Sequence, residues 1–171
     1  MRARIQNDGT VSLDMGVPDF APSALPFDAP SEAPSYALDV DGTRVEFGAV
    51  SMGNPHAVLR VGDVKTAPVE RFGPTIERHP RFAKRTNVGF MQIVDRRHIR
   101  LRVYERGVGE TLACGTGACA AVAVGRKDGL LDSEVRVELL GGPASVTWAG
   151  PGQHLWLTGP ATMVFTGSID I

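Results

Sequence analysis

Apolar and polar residues alternate with a period of two along much of this chain, the spacing of strands with one buried face. In residues 98–104, Ile99, Leu101 and Val103 point one way and Arg100, Arg102 and Tyr104 the other. That alternation predicts an antiparallel sheet wetted on one side. Residues 2–6 and 10–15 read as a hairpin around Asn7-Asp8-Gly9. Residues 36–40 and 43–47 read as a second hairpin around Asp41-Gly42, a pair suited to a type I′ turn. Residues 50–52 and 57–61 bracket Gly53-Asn54-Pro55-His56. Further strands are predicted at 86–94, 98–104, 135–139, 145–148, 154–158 and 161–171. Residues 66–79 carry helical patches, with Gly73-Pro74 read as a break. Residues 114–125, CGTGACAAVAVG, differ from all of these, because Ala118 and Ala120 to Val124 leave no polar face. A helix apolar all round is a buried helix, and Gly129 suits its left-handed terminus. The expected architecture is α+β, a mostly antiparallel sheet curled around one central helix of small residues.

Composition narrows the classes. The chain has 171 residues, a formal charge of −1, 43 % apolar and 22 % charged residues, values ordinary for globular domains. That length suits one domain or two small ones. No apolar run approaches the roughly 18–20 residues of a membrane-spanning helix, and the first ten residues hold no apolar core of a secretory signal. A charge near zero argues against nucleic acid as a partner; the arginines at 96, 97, 100 and 102 read as the wet side of a strand. Five of the twelve prolines fall between Pro18 and Pro34, which predicts an extended connection over the surface and a candidate domain boundary. Lys65, Lys84 and Lys127 all lie outside apolar stretches, which argues against a Schiff-base lysine. Four His and two Cys are scattered without metal-ligand spacing. Two residues five apart on one helix, as Cys114 and Cys119 are, stand more than about 7 Å apart and cannot be bridged. Free thiols point to a reducing compartment, here the cytoplasm.

The strongest chemical feature is Cys114 at the start of the buried helix. Helix N-termini carry unpaired N–H groups and partial positive charge, which favour a thiolate and a bound anion. The N–H groups of Gly115, Thr116 and Gly117 would share that spot. A buried structural cysteine is the competing reading, and Cys119, among alanines, reads as core. Residues 115–120 also match the G-x-G-x-x-A dinucleotide pattern, with Glu138 some twenty residues on. Ten residues separate that glycine run from the preceding strand, where a tight turn is required. Glu105-Arg106 at a strand end could clamp an amino acid, Arg106 on its carboxylate and Glu105 on its ammonium. Asn54 and His56 lie in a turn between apolar strands, a place where functional groups often sit.

Four motifs now stand in order: Gly53-Asn54-Pro55-His56, Arg85-Thr86-Asn87-Val88-Gly89-Phe90, Arg102-Val103-Tyr104-Glu105-Arg106-Gly107, and Glu110-Thr111-Leu112-Ala113-Cys114-Gly115-Thr116-Gly117. Together they resemble diaminopimelate epimerase over about residues 11–171. The resemblance implies a cofactor-independent isomerase, holding no metal, that interconverts LL- and meso-diaminopimelate for lysine and peptidoglycan-precursor synthesis. Its implied fold is two pseudo-symmetric halves, each a strongly bent, barrel-like sheet around a central helix, with substrate in the cleft between them. One cysteine thiolate removes the α-proton and a second, on the opposite face, delivers one. By resemblance Cys114 is one of that pair. Asn54, Asn87, Glu105, Arg106, Gly115 and Thr116 stand at substrate-contacting positions, and His56 and Glu105 at positions that tune the cysteines.

The family's other cysteine motif, Asn-Gly-x-Arg-Cys, is absent. The resemblance therefore implies a C-terminal half: residues 1–15 a remnant of the N-terminal domain, 16–159 the C-terminal domain, and 160–171 a strand returning to the N-terminal one. Such a half is expected to be inactive alone, to need the missing half as partner, and to self-associate through exposed strand edges. The alternatives are a related racemase or isomerase of the same fold, or a fragment that binds amino acids without catalysis.

Overall fold

Turn chemistry and one small-residue helix set the architecture. The computed structural model describes residues 2–169. β1 (Ala3–Ile5) and β2 (Val11–Asp14) form the first hairpin. β3 (Tyr36–Val40) and β4 (Thr43–Ser51) form the second, and Asp41 and Gly42 both have the positive φ, 51° and 74°, that a type I′ turn requires. β5 (Pro55–Arg60), β6 (Asn87–Asp95), β7 (His98–Glu105), β8 (Gly109–Thr111), β9 (Glu134–Leu139), β10 (Gly142–Trp148) and β11 (Leu155–Gly159) complete one sheet. Its order is β1-β2-β11-β10-β9-β7-β6-β5-β4-β3, with β8 paired to β7.

Most neighbours are antiparallel, as expected. The two parallel pairs, β5–β6 and β7–β9, are the ones whose connections contain helices, α1 (Val69–Glu77) and α2 (Gly115–Lys127). Parallel neighbours need such crossovers. The helices lie on opposite faces. Along β5, Val58 belongs to the core around α2, while Ala57 and Leu59 belong to the core that holds Val69 and Ile76 of α1. The central strands are thus buried on both sides, which explains the unbroken apolar run Ala57-Val58-Leu59. The sheet bends far enough for α2 to touch β4, β5, β6, β7, β10 and β11, but it stays open between its edges β1 and β3 and is not closed into a barrel.

α2 starts at Cys114, which has the extended backbone of an N-cap, and ends in a Schellman turn. Leu130 N–H bonds Gly125 O at 2.9 Å and Gly129 N–H bonds Arg126 O at 3.0 Å, with Gly129 at φ 73°. Residues 118–124 are all buried.

Four local expectations change. The proline-rich stretch does more than drape the surface. Leu25 is fully buried, and Phe27 stacks on Phe82 with centroids 4.6 Å apart and bridges it through the backbone. Gly73-Pro74 does not break α1, because Pro74 removes one helical hydrogen bond while Val69, Gly73, Ile76 and Glu77 bury a common face. The polar loop before α2 contains a strand, β8. Residues 160–169 form no strand and lie exposed; Asp170 and Ile171, the end of the predicted strand, fall outside the described residues, as does Met1. β2 pairs along β11.

The close approach of α2 to the sheet yields a prediction. A Cβ on Gly48 would lie 2.3 Å from Val124 Cγ1 and 3.3 Å from Val124 Cβ, too near for a rotamer change to relieve. Gly48→Ala is expected to destabilise the chain by about 1–3 kcal/mol, the usual range for overpacking, read as a lower urea midpoint at unchanged slope.

Candidate functional site

The crossover from β7 to α2 carries the chemistry. β7 ends at Glu105, β8 folds back along it, and the chain then enters α2 through Cys114. A bidentate pair holds β8 in place: Arg102 Nε and Nη2 donate to Glu110 Oε1 and Oε2 at 2.6 and 2.8 Å. This register sets the Glu105 carboxylate beside the helix N-terminus. Cys114 Sγ donates to Glu105 Oε2 at 3.1 Å, and Thr111 Oγ1 donates to Oε1 at 2.5 Å.

Of the remaining predicted residues, Thr116, Asn54 and His56 join this pair in one linked set. Thr116 Oγ1 lies 3.6 Å from Cys114 Sγ and 3.4 Å from Asn54 Nδ2, which is long for a hydrogen bond. Asn54 Oδ1 meets His56 Nε2 at 3.0 Å. Asn87 is buried and wholly engaged with backbone: its Nδ2 donates to Pro55 O at 2.9 Å and its Oδ1 accepts from Arg106 N–H at 3.0 Å. Gly115 is exposed at the helix mouth. Ala118 N–H is the donor that bonds back to Cys114 O, at 2.9 Å, and the helix leaves the N–H groups before it without carbonyl partners of its own. The Arg106 side chain is exposed, with Nη1 on Lys84 O at 3.0 Å. The expected Glu105–Arg106 clamp is therefore divided. Glu105 turns inward to the thiol, and Arg106 remains at the surface.

The helix N-terminus alone would lower the Cys114 pKa. The environment raises it instead, first through burial and then because the Glu105 carboxylate accepts the thiol proton; Thr116 and the Gly117 N–H pull weakly the other way. Cys114 is accordingly a thiol with a ready acceptor, which corrects the expectation of a lowered value. Cys119, fully buried inside α2, is pushed up to about 12 by burial and is inert core. His56 is driven down to about 3 by burial and by the Arg106 charge, so it is neutral.

Two residues escaped the sequence reading. Thr111 lies in a run read as loop, and its role depends on β8. Glu77 of α1 is 1 % exposed, and its Oε1 accepts from Gly107 N–H at 2.9 Å, anchoring the turn that follows Glu105. No pattern around Glu77 sets it apart from the other charges in residues 66–79.

The dinucleotide reading fails on geometry. The strand entering α2 is the three-residue antiparallel β8, and Glu138 accepts from Arg100 Nε at 3.1 Å. The arginines at 96, 97, 100 and 102 face carboxylates of Asp132, Glu134, Glu138 and Glu110. No helix among the described residues is long and apolar enough to cross a membrane. Among the same residues, no three His, Cys, Asp or Glu side chains gather in a group able to hold a metal ion.

The open α+β sheet wrapped on a helix is similar in fold to solved racemases and epimerases. A hydroxyproline epimerase from Agrobacterium vitis superposes with a TM-score of 0.60 over 92 % of this chain and 53 % of its own, at 18 % identity. Sequence gives the family. The diaminopimelate epimerase model matches residues 48–164. The diaminopimelate epimerases of Alkalilimnicola ehrlichii and Thioalkalivibrio sulfidiphilus are 61 % and 62 % identical over 99 % and 98 % of this chain. The chain belongs to the diaminopimelate epimerase family. It spans 61 % of the length of each of those two relatives.

Burial of neutral His56 predicts a pH effect. Its folded pKa is depressed, so the unfolded chain binds the extra proton as pH falls from about 6.5 towards 3, and stability must fall over that window. His56→Gln is expected to flatten the fall in urea midpoint between pH 6.5 and 4 relative to the native chain; parallel slopes would contradict it.

Proposed function

We propose that this chain supplies one catalytic face of a diaminopimelate epimerase, interconverting LL- and meso-diaminopimelate by proton transfer at the α-carbon without a cofactor. The observation that carries the reading is the Cys114 thiol at the mouth of α2, held on Glu105. An amino acid α-carbon is a weak acid, and charge develops on its carboxylate as the proton leaves. The N–H groups of Gly115 and Thr116 are donors suited to that charge, with Asn54 beside Thr116 and the exposed Arg106 cation as a further partner for the carboxylate. Cys114, protonated at rest, returns a proton to the carbanion on its face; as thiolate in the reverse direction it removes one. His56 stays neutral and orients Asn54.

The other face needs a second acid–base group. Cys119 cannot serve, being fully buried within α2. In this reading residues 16–159 form one half of the catalytic unit, residues 1–15 and 160–171 belong with the other half, and the second cysteine comes from that half. The chain alone is then inactive. Two free thiols suit a cytoplasmic setting in lysine and peptidoglycan-precursor synthesis.

The test is α-hydrogen exchange of diaminopimelate in deuterated water. The chain alone is expected to show none, and turnover is expected after mixing with the separately made N-terminal part of the Alkalilimnicola relative. Cys114→Ser should then lower turnover by about 10²–10⁴-fold, the usual share of a general acid–base group. Full turnover by the isolated chain overturns the proposal. Met163, Val164, Phe165 and Ile169 lie exposed in a stretch without strand pairing. The isolated chain is therefore expected to self-associate in sedimentation, and a chain ended at residue 159 to do so less. A monomer at every concentration would contradict this.

A further inference from the structure

The carboxylate that meets Cys114 is itself held from behind. Glu105 is half-buried, and its side chain has several rotatable bonds with water within reach. What stops it turning outward is Thr111. The Thr111 hydroxyl donates to Oε1 at 2.5 Å, which leaves Oε2 for the Cys114 thiol at 3.1 Å. The position of Thr111 is fixed in turn. It pairs with Val103 across β7, and its neighbour Glu110 is locked to Arg102 in the bidentate pair. Arg102, with 19 % of its side chain exposed, also donates to Val64 O at 3.2 Å, so the frame reaches beyond the crossover.

We infer that Thr111 is a positioning residue: its hydroxyl holds the Glu105 carboxylate against the Cys114 thiol and so sets the protonation of the sulfur. This deepens the epimerase reading and rests on it for its catalytic meaning, but the effect on the thiol is a property of the chain itself. The other groups around Cys114 do not supply that effect. From the β4–β5 turn and β5, Asn54 is uncharged and His56 is neutral. Within α2, Thr116 and the Gly117 N–H favour the thiolate, and Cys119 is an un-ionised thiol. From β11, apolar Leu157 lies against Gly115. The Arg106 cation faces His56 from the surface. Among the described residues, Glu105 is the one charged group hydrogen-bonded to the sulfur.

A merely structural threonine would be β-branched filling for a short strand, and valine would serve equally well there. Thr111→Val keeps that shape and removes the hydroxyl alone. The experiment follows the ultraviolet absorbance of the Cys114 thiolate against pH in the 171-residue chain, with the Cys114→Ser chain as blank. In Thr111→Val the freed carboxylate leaves the thiol, and the midpoint is expected to fall by about one pH unit, a tenfold rise in thiolate below it. Thr111→Ser retains the hydroxyl and is expected to titrate as the native chain does. In a Glu105→Gln background, Thr111→Val should add no shift, because the two act through one carboxylate. An unchanged midpoint in a folded Thr111→Val chain overturns the inference, and so does an equal shift in the Glu105→Gln background. Should the valine variant fail to fold by circular dichroism, Thr111→Ala is read by the same criteria. No substrate enters the measurement, so a failed epimerase assay leaves this result standing and a failed titration leaves the epimerase reading standing.

Discussion

The sheet can close on α2 only because the buried part of that helix carries nothing larger than valine. Gly117 lies so near β7 that a Cβ there would be 3.0 Å from Val103 Cγ2, and one on Gly125 would be 2.5 Å from Leu131 Cδ1. Interiors packed to this density leave little room for a helix to slide or rotate. Six strands touch α2, and between β7 and β9 it forms the crossover. Its N-terminus is thereby aimed at the C-terminal end of β7. Cys114 meets Glu105 because of that packing, although nine residues separate them in the chain.

At that meeting point two electrostatic effects compete for the sulfur. A helix end offers partial positive charge and N–H groups, which favour the thiolate. Burial and a carboxylate in direct contact favour the thiol. Burial weighs most, and the Glu105 carboxylate, accepting the thiol proton at 3.1 Å, adds to it; the helix terminus contributes about half a charge spread over several groups. A resting thiol is the state that the proposed proton donor requires.

The pattern of side chains carried much of this. The hairpins, the alternation in β7, the buried helix and its glycine terminus all follow from local periodicity and turn chemistry, and Cys114 as N-cap followed from them. What did not follow depended on pieces far apart in sequence. Leu25 and Phe27 looked like loop residues because prolines surround them; both join the core on the α1 side of the sheet, where Phe27 packs on Tyr36, Phe47 and Phe82. Pro74 looked like a break because the face that α1 buries was not visible. β8 is three residues long, too short for periodicity to register, and Thr111 gained its meaning only from the β7 pairing. The thiol pKa could not be read from a helix terminus alone, because burial under the sheet and a carboxylate from another strand both raise it.

Glu77 shows how a site built on turns can still be stiff. Its carboxylate is almost fully buried, accepts from the Gly107 N–H, and lies 3.6 Å from the guanidinium of Arg85. Asn87 does the equivalent from β6, binding the Arg106 N–H on one side and the Pro55 carbonyl on the other. The turn after Glu105 is thus pinned at two successive backbone donors by side chains from two different elements. Losing the Gly107 N–H would leave that buried carboxylate only its exposed partners Arg78 and Arg85, and hydrogen bonds to charged groups contribute more than ordinary loop hydrogen bonds. The loop that leads towards α2 is therefore held by the last residue of α1 and the first residue of β6. Arg106 keeps a fixed backbone through Asn87, while its exposed guanidinium lies across the surface on Lys84 O at 3.0 Å.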